Sequence, residues 1–205
     1  MKKILFTGGG SAGHVIPNIA LIEELLSSGE AAVCYMGTDG IEKGLIAEWN
    51  IPYFTIDCPK LIRGKSWNAI KRNLHIPAEF HRAKKQALEG LQQCKPDVVF
   101  SKGGYVALPV IAAAKKLHIP CFSHESDYSP GLANRLIARK CKYVFTSFPK
   151  RQNACPTESI AARRCAVRFL TPRARKHDEN CPYPSTRKYC WFSAAAAAVR
   201  RSTTR

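Results

Sequence analysis

Residues 6–14 read Phe-Thr-Gly-Gly-Gly-Ser-Ala-Gly-His, and Gly8, Gly10 and Gly13 satisfy the spacing G-x-G-x-x-G. Between a short apolar run and a helix-like segment, such glycines let backbone N–H groups approach a phosphate at the positive end of a helix dipole. Gly8, Gly9, Gly10, Ser11, Ala12 and Gly13 are therefore expected to cradle a phosphate or pyrophosphate, with a plain tight turn as the alternative. His14 follows directly. An imidazole there can reach a phosphate-bearing ligand and take a proton from a nearby hydroxyl; it can equally be a partly exposed histidine in a first helical turn. On the residues alone both readings stay open.

A second pair of glycines stands in Ser101-Lys102-Gly103-Gly104-Tyr105, again between a strand-like run and a helix-like one. That is the carboxyl edge at which open α/β sheets bind ligands, and two such loops favour a long phosphorylated ligand. A third edge loop, Ser123-His124-Glu125-Ser126-Asp127, offers two acids, a histidine and hydroxyls. These either cap the loop or hydrogen-bond the hydroxyls of a sugar. A nicotinamide dinucleotide would need an acid at the end of the second strand for its ribose. Asp39 stands late for that role, so the dinucleotide reading is the weaker one. The spaced carboxylates form no D-x-D metal grip.

Between Cys58 and Arg72, the apolar Leu61, Ile62, Trp67 and Ile70 alternate with Lys60, Arg63, Lys65, Lys71 and Arg72. Exposed apolar bulk among cations suits an anionic membrane surface, with Trp at the interface. The alternative is a solvated loop running into an ordinary helix.

The elements that must position these residues follow from alternation. Strand-like runs recur at 4–7, 32–36, 53–56, 98–101, 121–123 and 143–146. Helix-like segments fall at 16–26, 40–48, 67–93, 106–117 and 131–139, which predicts a Rossmann-like parallel sheet with crossover helices. The first helix is expected to turn Ile16, Ile19, Ala20 and Leu26 to the sheet, to tolerate Pro17 in its first turn and to stop at Gly29.

With 205 residues and a hydrophobic fraction of 45%, the chain can hold one domain and a small appendage, which excludes a two-lobed enzyme carried whole on it. The net charge of +17 is concentrated at one end: residues 1–149 carry 19 basic and 12 acidic side chains, and residues 150–205 carry 13 and 3. In that last segment Arg outnumbers Lys 10 to 3, aliphatic bulk is sparse and no strand or helix period emerges. We read 150–205 as a basic low-order tail produced by out-of-frame translation near Pro149. A disordered nucleic-acid- or membrane-binding tail, and a zinc site on Cys155, Cys165, Cys181 and Cys190, are the alternatives; close CxxC pairs are missing. Cys34, Cys58, Cys94, Cys121 and Cys141 are expected to be reduced and cytosolic. No signal peptide or membrane span is expected.

Taken in order, Gly8-Gly9-Gly10-Ser11-Ala12-Gly13-His14-Val15-Ile16-Pro17-Asn18, Gly103-Gly104-Tyr105, His124-Glu125-Ser126-Asp127 and Gly131-Leu132-Ala133-Asn134 resemble the amino-terminal domain of the MurG family over residues 1–149. The resemblance implies the acceptor-binding half of a GT-B glycosyltransferase, which moves N-acetylglucosamine from UDP-N-acetylglucosamine to the muramoyl 4-hydroxyl of lipid I, giving lipid II for peptidoglycan, with inversion. It implies that His14 deprotonates that hydroxyl and that the two glycine loops receive the acceptor pyrophosphate. Ser11, Ala12 and Gly13 fall where the family touches the donor sugar nucleotide, and Asp127 stands where many members have Asn. His124, Glu125 and Asn134 join the substrate-binding set. Segment 60–72 resembles the family's membrane patch, which implies a peripheral protein on the anionic cytoplasmic face of the bacterial membrane. No metal, organic cofactor or nucleic-acid partner is implied. The donor-binding domain has no counterpart after Pro149, so the chain alone is expected to be inactive, since catalysis needs both substrates held together. A transferase acting on another lipid acceptor is the nearest alternative.

Overall fold

The computed structural model of the chain describes residues 1–29, 31–60 and 66–146. The expectations for Leu61, Ile62, Arg63 and Lys65, and for the tail with its four cysteines, lie outside the described residues.

Six strands, β1 Lys2–Thr7, β2 Ala31–Gly37, β3 Tyr53–Thr55, β4 Val98–Ser101, β5 Cys121–Glu125 and β6 Tyr143–Thr146, form one sheet in the order β3-β2-β1-β4-β5-β6. Every neighbouring pair is parallel. The chain winds outward from β1 to β3, then returns to β4 on the other side, so the order reverses between β1 and β4. Crevices at such switch points, outside the carboxyl ends of the strands, are where open sheets take ligands.

The strands read as nearly unbroken apolar runs because both faces are covered. Period-two alternation sends Ile4, Phe6, Val33 and Tyr35 to one face, against Val15, Ile22 and Leu25 of α1 (Ala12–Ser27). It sends Leu5, Cys34, Met36 and Val99 to the other. There they meet Ala87 and Leu91 of α4 (Ile76–Cys94) and Val110 and Ile111 of α5 (Ala107–Lys116). Helices α2 (Ile41–Ala47) and α6 (Leu132–Ala138) complete the two layers. At the rim opposite the strands' carboxyl ends, four helices turn back through a left-handed residue. These are Gly29 (φ 64°) after α1, Asn50 (φ 48°) after α2, Lys95 (φ 48°) after α4 and His118 (φ 58°) after α5.

Four expectations are corrected. Helix α1 begins at Ala12 rather than Ile16, so its phase differs: Val15, Asn18, Leu21, Ile22 and Leu25 are buried, and Ile16 and Leu26 face outward. Pro17 consequently sits inside α1, past the first turn. The single helix expected over 67–93 is two, α3 (Trp67–Asn73) and α4, with Pro77 in the first turn of the second. Proline lacks the N–H that would continue the ladder and disfavours helical backbone in the residue before it. Strand β5 extends to Glu125, pairing His124 with Phe145 and Glu125 with Thr146 of β6. Finally, the Cys34 and Cys94 sulfurs meet between β2 and the end of α4, where separate thiols were expected. Alternation turns Cys34 to the face that the last turn of α4 covers.

Candidate functional site

Loops leaving the carboxyl ends of β1, β4 and β5 converge on a cavity of about 970 Å³. The first loop contributes Gly9, Gly10, Ser11 and His14, the second Gly104 and Tyr105, and the third, with α6 behind it, Asp127 and Asn134. Leu108, Leu132 and Leu136 make one apolar wall, and Lys60 and Arg72 bring two cations to the same space.

The first two loops are packed on each other. Lys102 donates its backbone N–H to the Thr7 carbonyl at 3.1 Å, extending the β1–β4 pairing past Ser101. A side chain on Gly104 would come within 2.6 Å of the Gly9 carbonyl and 3.1 Å of the His14 ring. On Gly10 it would collide with the Tyr105 ring. Glycine at these two positions is thus what lets His14 and Tyr105 share one pocket.

Three of the glycine amides expected to face a phosphate are engaged within the protein. Gly103 N–H is taken by Ser101 Oγ at 3.0 Å and Gly104 N–H by Asn134 Oδ1 at 3.1 Å. In the first loop, Gly10 N–H goes to Glu42 Oε2 at 3.3 Å. At the start of α1, Ser11 makes no side-chain cap and His14 N–H reaches Ser11 O at 3.1 Å. An uncapped first turn leaves donors pointing outward at the positive end of the helix dipole.

Sequence reasoning missed the groups behind the first loop. Glu42 is fully buried and also accepts from Thr38 N–H, at 3.0 Å, and from the Thr38 hydroxyl. Its signal was an acid in the first turn of a helix. The Tyr35 hydroxyl donates to the Gly8 carbonyl at 2.6 Å, and Asn18 Nδ2 donates to the Thr7 carbonyl at 3.2 Å. Burial pushes the Tyr35 hydroxyl well above its ordinary range.

Beneath the cavity lies a charged cluster. The Glu125 carboxylate accepts from Asn134 Nδ2 at 2.7 Å and from Asp127 N–H at 3.0 Å. Lys102, 1% exposed, donates from Nζ to Ser126 Oγ at 2.9 Å. Burial holds Lys102 below its ordinary range, and the Glu125 and Asp127 charges oppose the shift. His14 is half-buried, with Nδ1 turned inward. Desolvation and then the Lys102 ammonium lower its pKa from 6.5, against the Lys102 backbone, Asp127 and Glu125. A neutral imidazole at neutral pH can accept a proton. His124 is 1% exposed inside β5, and burial with Lys102 pushes it down to about 3.

Of the expected site residues, His14, Gly9, Gly10, Ser11, Gly104, Tyr105, Asp127 and Asn134 reach the cavity. Gly8, Gly103, His124 and Glu125 are buried behind it, because the longer β5 carries the last two into the sheet. Ala12 and Gly13 stand in the first turn of α1. Asp39 points into solvent and pairs with Lys43 at 2.6 Å, so it does not serve as a ribose grip. Trp67, Ile70 and Leu74 are 72%, 42% and 73% exposed at helical spacing, beside Lys71 and Arg72. Arg72 also pairs with Glu79 at 2.6 Å. Among the described residues no three His, Cys, Asp or Glu side chains are grouped to hold a metal, and no helix is long and apolar enough to cross a membrane.

A curated relative from Shouchella clausii, named UDP-N-acetylglucosamine--N-acetylmuramyl-(pentapeptide) pyrophosphoryl-undecaprenol N-acetylglucosamine transferase, is 47% identical over 82% of this chain and 46% of its own length. One of the same name from Lachnospira eligens is 46% identical over 76% and 43%. The chain thus spans under half the length of these relatives. The crystal structure of Acinetobacter baumannii MurG superposes with a TM-score of 0.63 at 31% identity, over 75% of this chain and 44% of that one. Residues 4–146 match the glycosyltransferase family 28 N-terminal domain, and the chain belongs to that family.

Proposed function

We propose that this chain supplies the acceptor-side half of a transfer of N-acetylglucosamine from UDP-N-acetylglucosamine to N-acetylmuramyl-(pentapeptide) pyrophosphoryl-undecaprenol, the reaction named for its relatives. The observation that carries it is the convergence of an uncharged-leaning imidazole, His14, with cations and an apolar wall in one cavity. The muramoyl 4-hydroxyl loses its proton to His14 as its oxygen attacks the anomeric carbon of the donor. The bond to UDP breaks on the opposite face, so configuration inverts. Asp127 hydrogen-bonds a sugar hydroxyl, and Asn134 holds the loops on either side of it. The diphosphate belongs between the first turn of α1 and the cations Lys60 and Arg72, and the leucine wall takes the first part of the lipid. The exposed Trp67, Ile70 and Leu74 with Lys71 and Arg72 hold the protein peripherally on an anionic cytoplasmic membrane surface.

The test is calorimetric titration of the chain with a soluble short-chain lipid I analogue, followed by nuclear magnetic resonance of His14, Tyr105 and Asp127. Saturable binding that moves these three signals is expected, and binding that leaves them still would overturn the reading. Without the remaining half of its relatives' length, the chain is expected to give no transfer when both substrates are added.

A further inference from the structure

Behind the first glycine loop lies a buried acid with no part in the transfer described above. Glu42 is fully buried in the first turn of α2, although a carboxylate loses its hydration there and an apolar side chain would fill the space without that loss. Its two oxygens are divided between two loops. Oε1 accepts from the Thr38 N–H at 3.0 Å and from the Thr38 hydroxyl, just past β2, while Oε2 accepts from the Gly10 N–H at 3.3 Å, just past β1. A side chain on Gly9 would run into the same carboxylate. The Gly9–Gly10 peptide is thus held from behind by one acid. In front of it stand groups of the cavity: Gly10 packs on the Tyr105 ring, and the Gly9 carbonyl and the His14 ring both close on Gly104.

We propose that Glu42 is the positioning residue of the acceptor pocket: its grip on the Gly10 N–H sets the Gly9–Gly10 peptide and, through it, the places of Tyr105 and His14. This rests on the reading of the cavity as the acceptor site. A peptide between two glycines turns over at little cost, and the Tyr35 hydroxyl fixes the Gly8 carbonyl one peptide earlier. Glu42 is the contact that stops the turn. The chemistry of the site requires an acid. The Thr38 and Gly10 N–H groups each need an acceptor oxygen, and an amide of the same shape has one oxygen, so in either orientation its own NH2 faces an N–H. Being fully buried, Glu42 acts through the loop and does not meet the ligand.

Nuclear magnetic resonance of the full chain, followed by calorimetric titration with the soluble lipid I analogue, tests this by comparing Glu42→Gln with Tyr53→Phe. The second variant removes the hydroxyl that donates to the Thr38 carbonyl at 2.7 Å and leaves Glu42 joined to Gly10. Each loses a buried hydrogen bond, so both are expected to melt earlier. In Glu42→Gln the Gly10 amide is expected to exchange with solvent about tenfold faster, the Tyr105 and His14 ring signals to shift, and affinity for the analogue to fall about tenfold. In Tyr53→Phe all three are expected to hold. Equal changes in the two variants, or none in Glu42→Gln, overturn the proposal. In the unmodified chain the Gly10 amide must be protected, and exchange at the rate of an open amide overturns the proposal even if Glu42→Gln does not fold. Exchange and ring signals are read without ligand. Their outcome therefore bears on Glu42 alone, whereas failure of the unmodified chain to bind the analogue removes the functional reading alone.

Discussion

The loops after β1 and β4 share a grammar of adjacent glycines between a strand and a helix, yet they end in different states. After β4, both glycine amides are bonded to the protein's own side chains, Ser101 and Asn134, and the loop serves as a brace under His14. After β1, Glu42 takes only the Gly10 amide, and the first turn of α1 opens into the cavity without a side-chain cap. Glycine is required in the first case by close approach of backbone to backbone. In the second it leaves room for the Tyr105 ring. Two loops of like composition thus divide the work of support and contact, and hydrogen-bond partners distinguish them where glycine spacing does not.

The largest expected effect sharpens the support role. His124, behind the brace, has a folded pKa of about 3 against an ordinary 6.5. Above pH 6.5 neither state binds the proton, so stability is full. As pH falls from about 6.5 towards about 3, the unfolded chain takes up the proton and the folded chain does not. Stability by denaturant titration should therefore fall by on the order of a few kcal/mol over that window. His124→Gln should flatten most of that slope, and an equally steep slope would show that the buried ring does not govern it. Next, Gly104→Ala combines φ 84° with a clash on the Gly9 carbonyl. It should cost about 2–4 kcal/mol, measured by urea unfolding. Asn134→Ala leaves the Gly104 amide and a Glu125 oxygen without their partner and should cost about 1–3 kcal/mol in the same assay. The smallest effect belongs to the contact loop. Gly13 has nothing nearer than Ser11 Oγ at 4.0 Å around an added Cβ. Gly13→Ala should stay within about 1 kcal/mol of wild type, on the stabilising side. A loss comparable to that of Gly104→Ala would erase the distinction between the loops.

The sheet was legible because its strands are apolar runs bounded by turn residues, and the family matched by residues 4–146 agrees with the fold expected of them. The phase of α1 was not, since Ile16 and Leu26 look like core residues until Ser11 is known to start the helix. Likewise, Pro77 was a visible break that periodicity over 67–93 overrode. At the site, the loops' shared edge followed from strand order, and so did the meeting of His14, Tyr105 and Asp127. Glu42, Tyr35 and the burial of Lys102 did not follow, because a buried polar side chain is recognised by its partners, and Gly10, Gly8 and Ser126 lie 32, 27 and 24 residues away in sequence.

The rim opposite the cavity offers a different kind of opportunity. Asn50, Lys95 and His118 hold left-handed backbone there while carrying full side chains, each an unrelieved strain of about 1 kcal/mol. None of the three lines the cavity. Hardening this protein for biochemistry can therefore begin at its base: glycine at these three positions is expected to raise the melting temperature without touching a residue of the cavity.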